Sequence, residues 1–177
     1  IPIKEDILRS PINSYGNTKF FIEKILEDYG KAYDLKSISF RYFNAAGASS
    51  NGLIGDFKTS GEHLIPRAFK AISPSQKPLI VYGNDYNTPD GTCIRDFIHV
   101  EDLANAHIIG LKKIFKIEEN YTKFYNLASG KGYSVLEVIN CIQRITNRKV
   151  NYIFGKKREG DPPILIADAS KAKRELG

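Results

Sequence analysis

Tyr15 and Lys19 stand four residues apart in SYGNTK (14–19), at the entrance of a segment with helical periodicity. At that spacing two side chains share one face of a helix. A free phenol, with a pKa of about 10, is a poor general base at neutral pH. An ammonium a few ångströms away favours its ionised form. Such a pair can accept the proton of an alcohol while the hydride leaves to a nicotinamide. Spacing alone leaves the matter open, because a tyrosine and a lysine also occur four apart as ordinary surface residues. Arg95 and Arg158 could each fork onto a phosphate, or pair with Asp96 or Asp161. His63, His99 and His107 lack metal spacing, and the last two read as hydrogen-bonded structural histidines. Asp90, Asp96, Asp102 and Asp161 form no carboxylate pair that sequence can establish. No metal site is expected.

The elements that must position these residues alternate between helix and strand. Phe21, Ile22, Ile25, Leu26 and Tyr29 recur at three- and four-residue intervals and predict a helix from Ser14 to about Tyr33. LKSISFRYF (35–43) predicts a strand with a turn-rich exit. A long loop (44–62) rich in Gly, Ser and Asn follows, of the length usually kept for function or disorder. Helical patterns are expected at 63–72, 100–116, 134–146 and 167–176, and strands at 78–83, 93–100, 124–130 and 150–155. NDYNTPDGT (84–92) reads as a hairpin or loop. Ser134 and Glu137 form a capping-box signature, and Asp168 is a candidate cap for the last helix. The alternation argues for an α/β fold with βαβ units. No Gly-rich turn between a strand and a helix is present to hold a dinucleotide pyrophosphate.

The 177 residues are 42% hydrophobic, enough for one sizeable core and a second small lobe. No apolar run is long enough to span a membrane. Cys93 and Cys141 make no disulfide framework, which points to a reduced, cytoplasmic setting. The chain contains no Met and reads as a piece of a longer protein or a processed one. The net charge of +6 is spread over KKIFK (112–116), KKR (156–158) and KAKR (171–174). These read as solvated faces or as attraction for an anion such as a nucleotide diphosphate. Nucleic acid is not expected as a partner, because no binding motif accompanies the charge.

In order, the chain carries SYGNTK, RYFNAAGA (41–48), EHLIP (62–66), VYGNDYNTPDGTCIRDFIHVEDLA (81–104), YNLASGKGYSVLEVI (125–139), REGDPP (158–163) and ADASKAKRELG (167–177). This series resembles the C-terminal half of the UDP-glucose 4-epimerases, extended short-chain dehydrogenases/reductases, over essentially the whole length. The resemblance implies the latter part of a Rossmann-type parallel-sheet domain (1–44 and 121–149) and a smaller α/β domain binding the UDP-sugar (45–120 and 150–177). It implies interconversion of UDP-galactose and UDP-glucose through a 4-keto sugar, with bound NAD.

Carried over residue by residue, Tyr15 matches the base at the 4-hydroxyl. Lys19 matches the lysine that favours the phenolate and binds the nicotinamide ribose. Tyr42 and Phe43 match positions lining the nicotinamide. Asn44 matches a contact to the sugar nucleotide, and His63 and Leu64 a pair at the nucleotide. Ile80, Val81 and Tyr82 match the strand against which uracil packs. Arg95 and Arg158 match the arginines at the diphosphate, and Asp161 a carboxylate at the uridine ribose. Leu165 stands where the family gates N-acetylated sugars, and leucine is intermediate in size. The fingerprint glycines belong upstream of Ile1 in this family. The resemblance also implies a homodimer in the full-length parent, built on the apolar stripe of Phe21, Ile25 and Tyr29. Rival expectations are an epimerase of UDP-N-acetylhexosamines or UDP-pentoses, a 4,6-dehydratase, and a half-enzyme that binds without turning over.

Overall fold

Parallel strand pairing, with helices laid over it, organises the chain. The computed structural model describes residues 1–56, 63–118 and 121–177. Glu62 of EHLIP and the end of the long loop lie outside the described residues. Helix α1 (Ser14–Tyr33) starts at Asn13, whose side chain accepts the Gly16 N–H at 2.8 Å, and stops at Asp34 in the left-handed region (φ 53°). This is ordinary capping chemistry at both ends. Strand β1 (Ser37–Tyr42) follows, then the short β2 (Asn44–Ala46) and helix α2 (Leu64–Lys70). Next come β3 (Leu79–Tyr82), β4 (Ile94–His99) and α3 (Val100–Ile114). The remainder is β5 (Thr122–Leu127), β6 (Gly132–Ser134), α4 (Val135–Thr146), β7 (Tyr152–Gly155), β8 (Ile164–Leu165) and α5 (Ser170–Leu176).

β1 pairs in parallel with β5, from Ser37 opposite Thr122 to Tyr42 opposite Leu127. β2 lies parallel to β4, and β3 to β7. β4 also takes β6 antiparallel and β8 parallel. Parallel neighbours require helical crossovers, which is why helices alternate with strands here. The fold is α/β, as expected, and has the Rossmann-type parallel character.

Two apolar clusters form. Ala68, Ala71, Leu79, Val81, Ile139, Ile142 and Val150 join α2 and α4 to β3 and the approach to β7. Ile98, Leu103, Tyr125, Leu127 and Ala172 join α3 and α5 to β4 and β5, with Ile38 and Phe40 of β1 against them. α3 comes close to β1 at Gly110, where an added Cβ would stand 2.8 Å from Phe40 Cζ. The packing therefore groups α3 and α5 with β1 and β5, and α4 with β3 and β7. The boundaries expected from sequence place α3 and α5 in the sugar-nucleotide part and α4 in the Rossmann-type part.

The long elements lie where periodicity places them. β2, β6 and β8 carry no sequence signature, because two or three residues cannot show alternation; neighbouring strands recruit them. Residues 84–92 form no hairpin, since β3 and β4 pair with other strands. Ser134 and Glu137 make the expected capping box at 3.0 and 2.7 Å. Asp168 sits one residue ahead of the Ala169 N-cap, yet its carboxylate accepts the Ser170 N–H at 2.8 Å.

Candidate functional site

The first turn of α1 presents Tyr15 to the surface, 73% exposed. The Lys19 ammonium stands 5.1 Å from the Tyr15 ring centroid. The Tyr15 carbonyl accepts from the Thr18 hydroxyl at 2.7 Å. The phenol thus lies at the surface beside a cation, near the amino end of the helix.

Tyr42, Phe43 and Asn44 occupy the carboxyl end of β1 and the start of β2. In open α/β sheets this is the edge where ligands bind. Tyr42 is exposed, with its ring 6.3 Å from that of His107. Phe43 continues the β1–β5 ladder by donating its N–H to the Leu127 carbonyl at 3.1 Å. The Asn44 amide donates to the Asp96 carbonyl at 2.9 Å. Asn44 therefore links the end of β1 to β4, one residue from Arg95.

Arg95 begins a second group. Its guanidinium pairs with the Asp161 carboxylate and donates to the Ile94 carbonyl at 2.8 Å. Asp96, the other partner considered for it, is fully buried and engaged elsewhere. Its carboxylate accepts from Ser129 N and Oγ at 2.9 and 2.7 Å and from Gly130 N at 3.0 Å. Leu165 lies in register with Arg95 across the β4–β8 pairing and is half-buried. Arg158 lays its guanidinium 3.8 Å from the Tyr82 ring centroid. Arg158, and then Arg67 of α2, pull the Tyr82 phenol below its ordinary pKa. On β3, Val81 is buried and Ile80 half-buried.

His63 is exposed at the N-cap of α2, and Leu64 packs against the first apolar cluster. Arg67, which the sequence reading passed over, stands with Arg158 at the Tyr82 phenol. Arg67 falls four residues after His63, one helical turn on, a spacing that could have flagged it. His99 caps α3 by accepting the Glu101 N–H at 3.2 Å, and His107 bonds the Leu103 carbonyl through Nδ1 at 2.7 Å. Both make hydrogen bonds within the fold, as read from sequence. Cys93 and Cys141 are unpaired, and burial raises the Cys93 thiol pKa. Among the described residues no cluster of His, Cys, Asp or Glu could hold a metal, and no helix is long and apolar enough to cross a membrane.

Chemically, one end of this arrangement can move a proton. The other offers forked cations and aromatic walls, the means of holding a phosphorylated, planar ligand. Known proteins resemble the chain in sequence and in fold. Over all 177 residues the chain is 42% identical to the UDP-glucose 4-epimerase of Lactobacillus helveticus and covers 53% of it. The crystal structure of UDP-glucose 4-epimerase from Brucella ovis in complex with NAD superposes with a TM-score of 0.92 at 44% identity, over 100% of this chain and 54% of that one. The enzyme from Bifidobacterium longum in complex with NAD+ and UDP gives 0.91 at 40% identity, over 100% and 53%. The chain spans about half the length of these relatives. Residues 1–128 match the NAD dependent epimerase/dehydratase family. The parallel α/β frame and that match agree, and the chain belongs to the NAD dependent epimerase/dehydratase family.

Proposed function

We propose that this chain carries the proton-transfer pair and the sugar-nucleotide site of an NAD-dependent UDP-glucose 4-epimerase. The observation that carries the reading is the Tyr15–Lys19 pair at the exposed start of α1, in a chain that also sets Arg95 beside Asp161 and Arg158 over Tyr82. In this reading Tyr15 takes the proton of the sugar 4-hydroxyl and later returns it. Lys19 stabilises the charge that Tyr15 acquires. Lys19, Tyr42 and Phe43 would hold the nicotinamide end of NAD. The Lys19 ammonium on α1 and the Tyr42 phenol and Phe43 ring at the open carboxyl end of β1 suit it. NAD, when bound, accepts the C4 hydride and gives it back, so that the sugar passes through a 4-keto form.

Arg95 and Arg158 bind the diphosphate, Asp161 the uridine ribose, and the strand of Ile80, Val81 and Tyr82 walls the uracil, Val81 through its backbone because its side chain fills the core. Asn44, His63 and Leu64 complete the nucleotide contacts, and Leu165 limits the space for the sugar. The lobes follow the packing: α3 and α5 with β1 and β5, α2 and α4 with β3 and β7. A cytoplasmic setting and a place in galactose metabolism complete the reading.

Turnover of UDP-galactose tests this proposal, and side-by-side turnover of UDP-N-acetylglucosamine separates it from the N-acetylhexosamine epimerases. Arg95→Ala is expected to weaken UDP binding by about one to two orders of magnitude, the worth of charge-assisted bonds to phosphate. Calorimetry with UDP checks it, and unchanged affinity would remove Arg95 from the site.

The full-length protein is proposed to be a homodimer. Phe21, Ile22, Ile25 and Tyr29 form an apolar stripe on the outer face of α1, each at least half exposed. Such a stripe marks an interface more often than a solvated face. Sedimentation is expected to report a dimer, and a monomer at micromolar concentration would contradict it.

A further inference from the structure

Tyr86 is only 8% exposed, yet its hydroxyl is the one buried side-chain polar atom without a hydrogen-bond partner among the described residues. The ring is wedged in place. Gly83, in the left-handed region at φ +83°, lies so close that an added Cβ would stand 2.5 Å from Tyr86 Cε2. The Lys157 ammonium covers the ring at 4.7 Å. The Tyr86 N–H donates to the Gly91 carbonyl at 2.9 Å, and the Tyr86 carbonyl accepts from Thr88 at 2.8 Å. Phenylalanine would fill the same space without stranding a polar atom. Buried polar groups left unmatched are rare and costly, and their retention calls for a reason.

The surroundings supply one. Burial, and then the negative charge of Asp161, hold the Tyr86 phenol above its ordinary pKa, with Cys93, Arg95 and Asp85 also in range. The phenol is therefore a proton donor at neutral pH. Its neighbour Asp161 is an acceptor whose partner is Arg95. A phosphate that claims the Arg95 fork leaves that carboxylate without its cation. We propose that Tyr86 is a positioning residue of the sugar-nucleotide site: when a nucleotide diphosphate takes Arg95, the Tyr86 hydroxyl donates to the Asp161 carboxylate. The exchange keeps Asp161 oriented and offsets its repulsion with the phosphates. It rests on the sugar-nucleotide reading above.

Tyr86→Phe tests it in the full-length enzyme. UDP affinity is expected to fall about ten-fold, the scale of a hydrogen bond to a charged group. KM for UDP-galactose should rise by the same factor with kcat unchanged. The melting temperature without ligand should hold or rise, because an unmatched buried hydroxyl is gone. In an Asp161→Asn background the same substitution should cost much less affinity. Equal UDP affinity in Tyr86→Phe and the unsubstituted enzyme would overturn the proposal and leave the sugar-nucleotide reading standing. A loss of affinity matched by a fall in melting temperature would mark a packing role and overturn it too. An unsubstituted enzyme that does not bind UDP would overturn the reading, and the proposal with it.

Discussion

Tyr15→Phe is expected to lower UDP-galactose turnover by roughly three orders of magnitude, within the range that general acid–base groups contribute. UDP affinity and thermal stability should stay as they are. The substitution removes one oxygen atom from a side chain that is 73% exposed and whose fold contacts run through its backbone. Nothing in the packing changes, so the loss belongs to the proton. In the proposed reaction the 4-hydroxyl proton leaves as the C4 hydride leaves, and phenylalanine cannot accept it. Steady-state kinetics with UDP-galactose, beside calorimetry with UDP, measures both halves of this expectation. Turnover within a few-fold of the unsubstituted enzyme would move the base elsewhere.

The second large effect concerns stability. Glu23 is a buried carboxylate on the inner face of α1, two turns beyond Tyr15. It accepts from Arg41 Nε at 2.6 Å and Nη2 at 2.7 Å, a two-point fork from the strand that ends in Tyr42. It also accepts from Arg9 Nη1 at 2.8 Å, while Arg9 reaches Glu27 at 2.8 Å with its other nitrogen. Both guanidinium groups are largely covered, and both stack near the Phe124 ring of β5, at 5.1 and 5.3 Å. Glu23→Ala would leave two sheltered cations without their shared anion. Removing one partner of a buried pair costs about 3–5 kcal/mol, so the substitution is expected to destabilise the chain by about that much. Urea unfolding of the purified variant measures it. A loss under about 1 kcal/mol, the scale of exposed pairs, would show that water screens the cluster. Activity should fall as well, because the same carboxylate fixes the helix of Tyr15 and Lys19 to the strand of Tyr42.

How legible the molecule was depended on how local each signal is. The stripe on α1, the capping box at Ser134 and the alternation of SISF before RYF are local, and each marks its element. What the α1 stripe faces is not local: Phe21, Ile22, Ile25 and Tyr29 point outward, while Glu23 and Gly30 are buried. A charged residue on the inner face defeats any reading from hydrophobicity. The same holds for Arg95, whose partner Asp161 lies 66 residues on, whereas its neighbour Asp96 turns into the core. The proposed sugar-nucleotide corner draws on α2, β3, β4 and the loop before β8, and no periodicity links them. Order along the chain suggested most of its residues through resemblance. Tyr86 and Arg67 escaped because the resemblance assigns neither a role, although Tyr86 lies within its longest motif, and only their surroundings in the fold point to one.

The most direct test of the central claim is to follow UDP-galactose with the full-length enzyme and NAD by NMR, with Tyr15→Phe alongside. The account predicts that UDP-glucose accumulates to equilibrium, inverted at C4 alone, and that the variant stalls. UDP-galactose left untouched by a folded enzyme that binds NAD and UDP, or converted to a 6-deoxy-4-keto sugar, would contradict it.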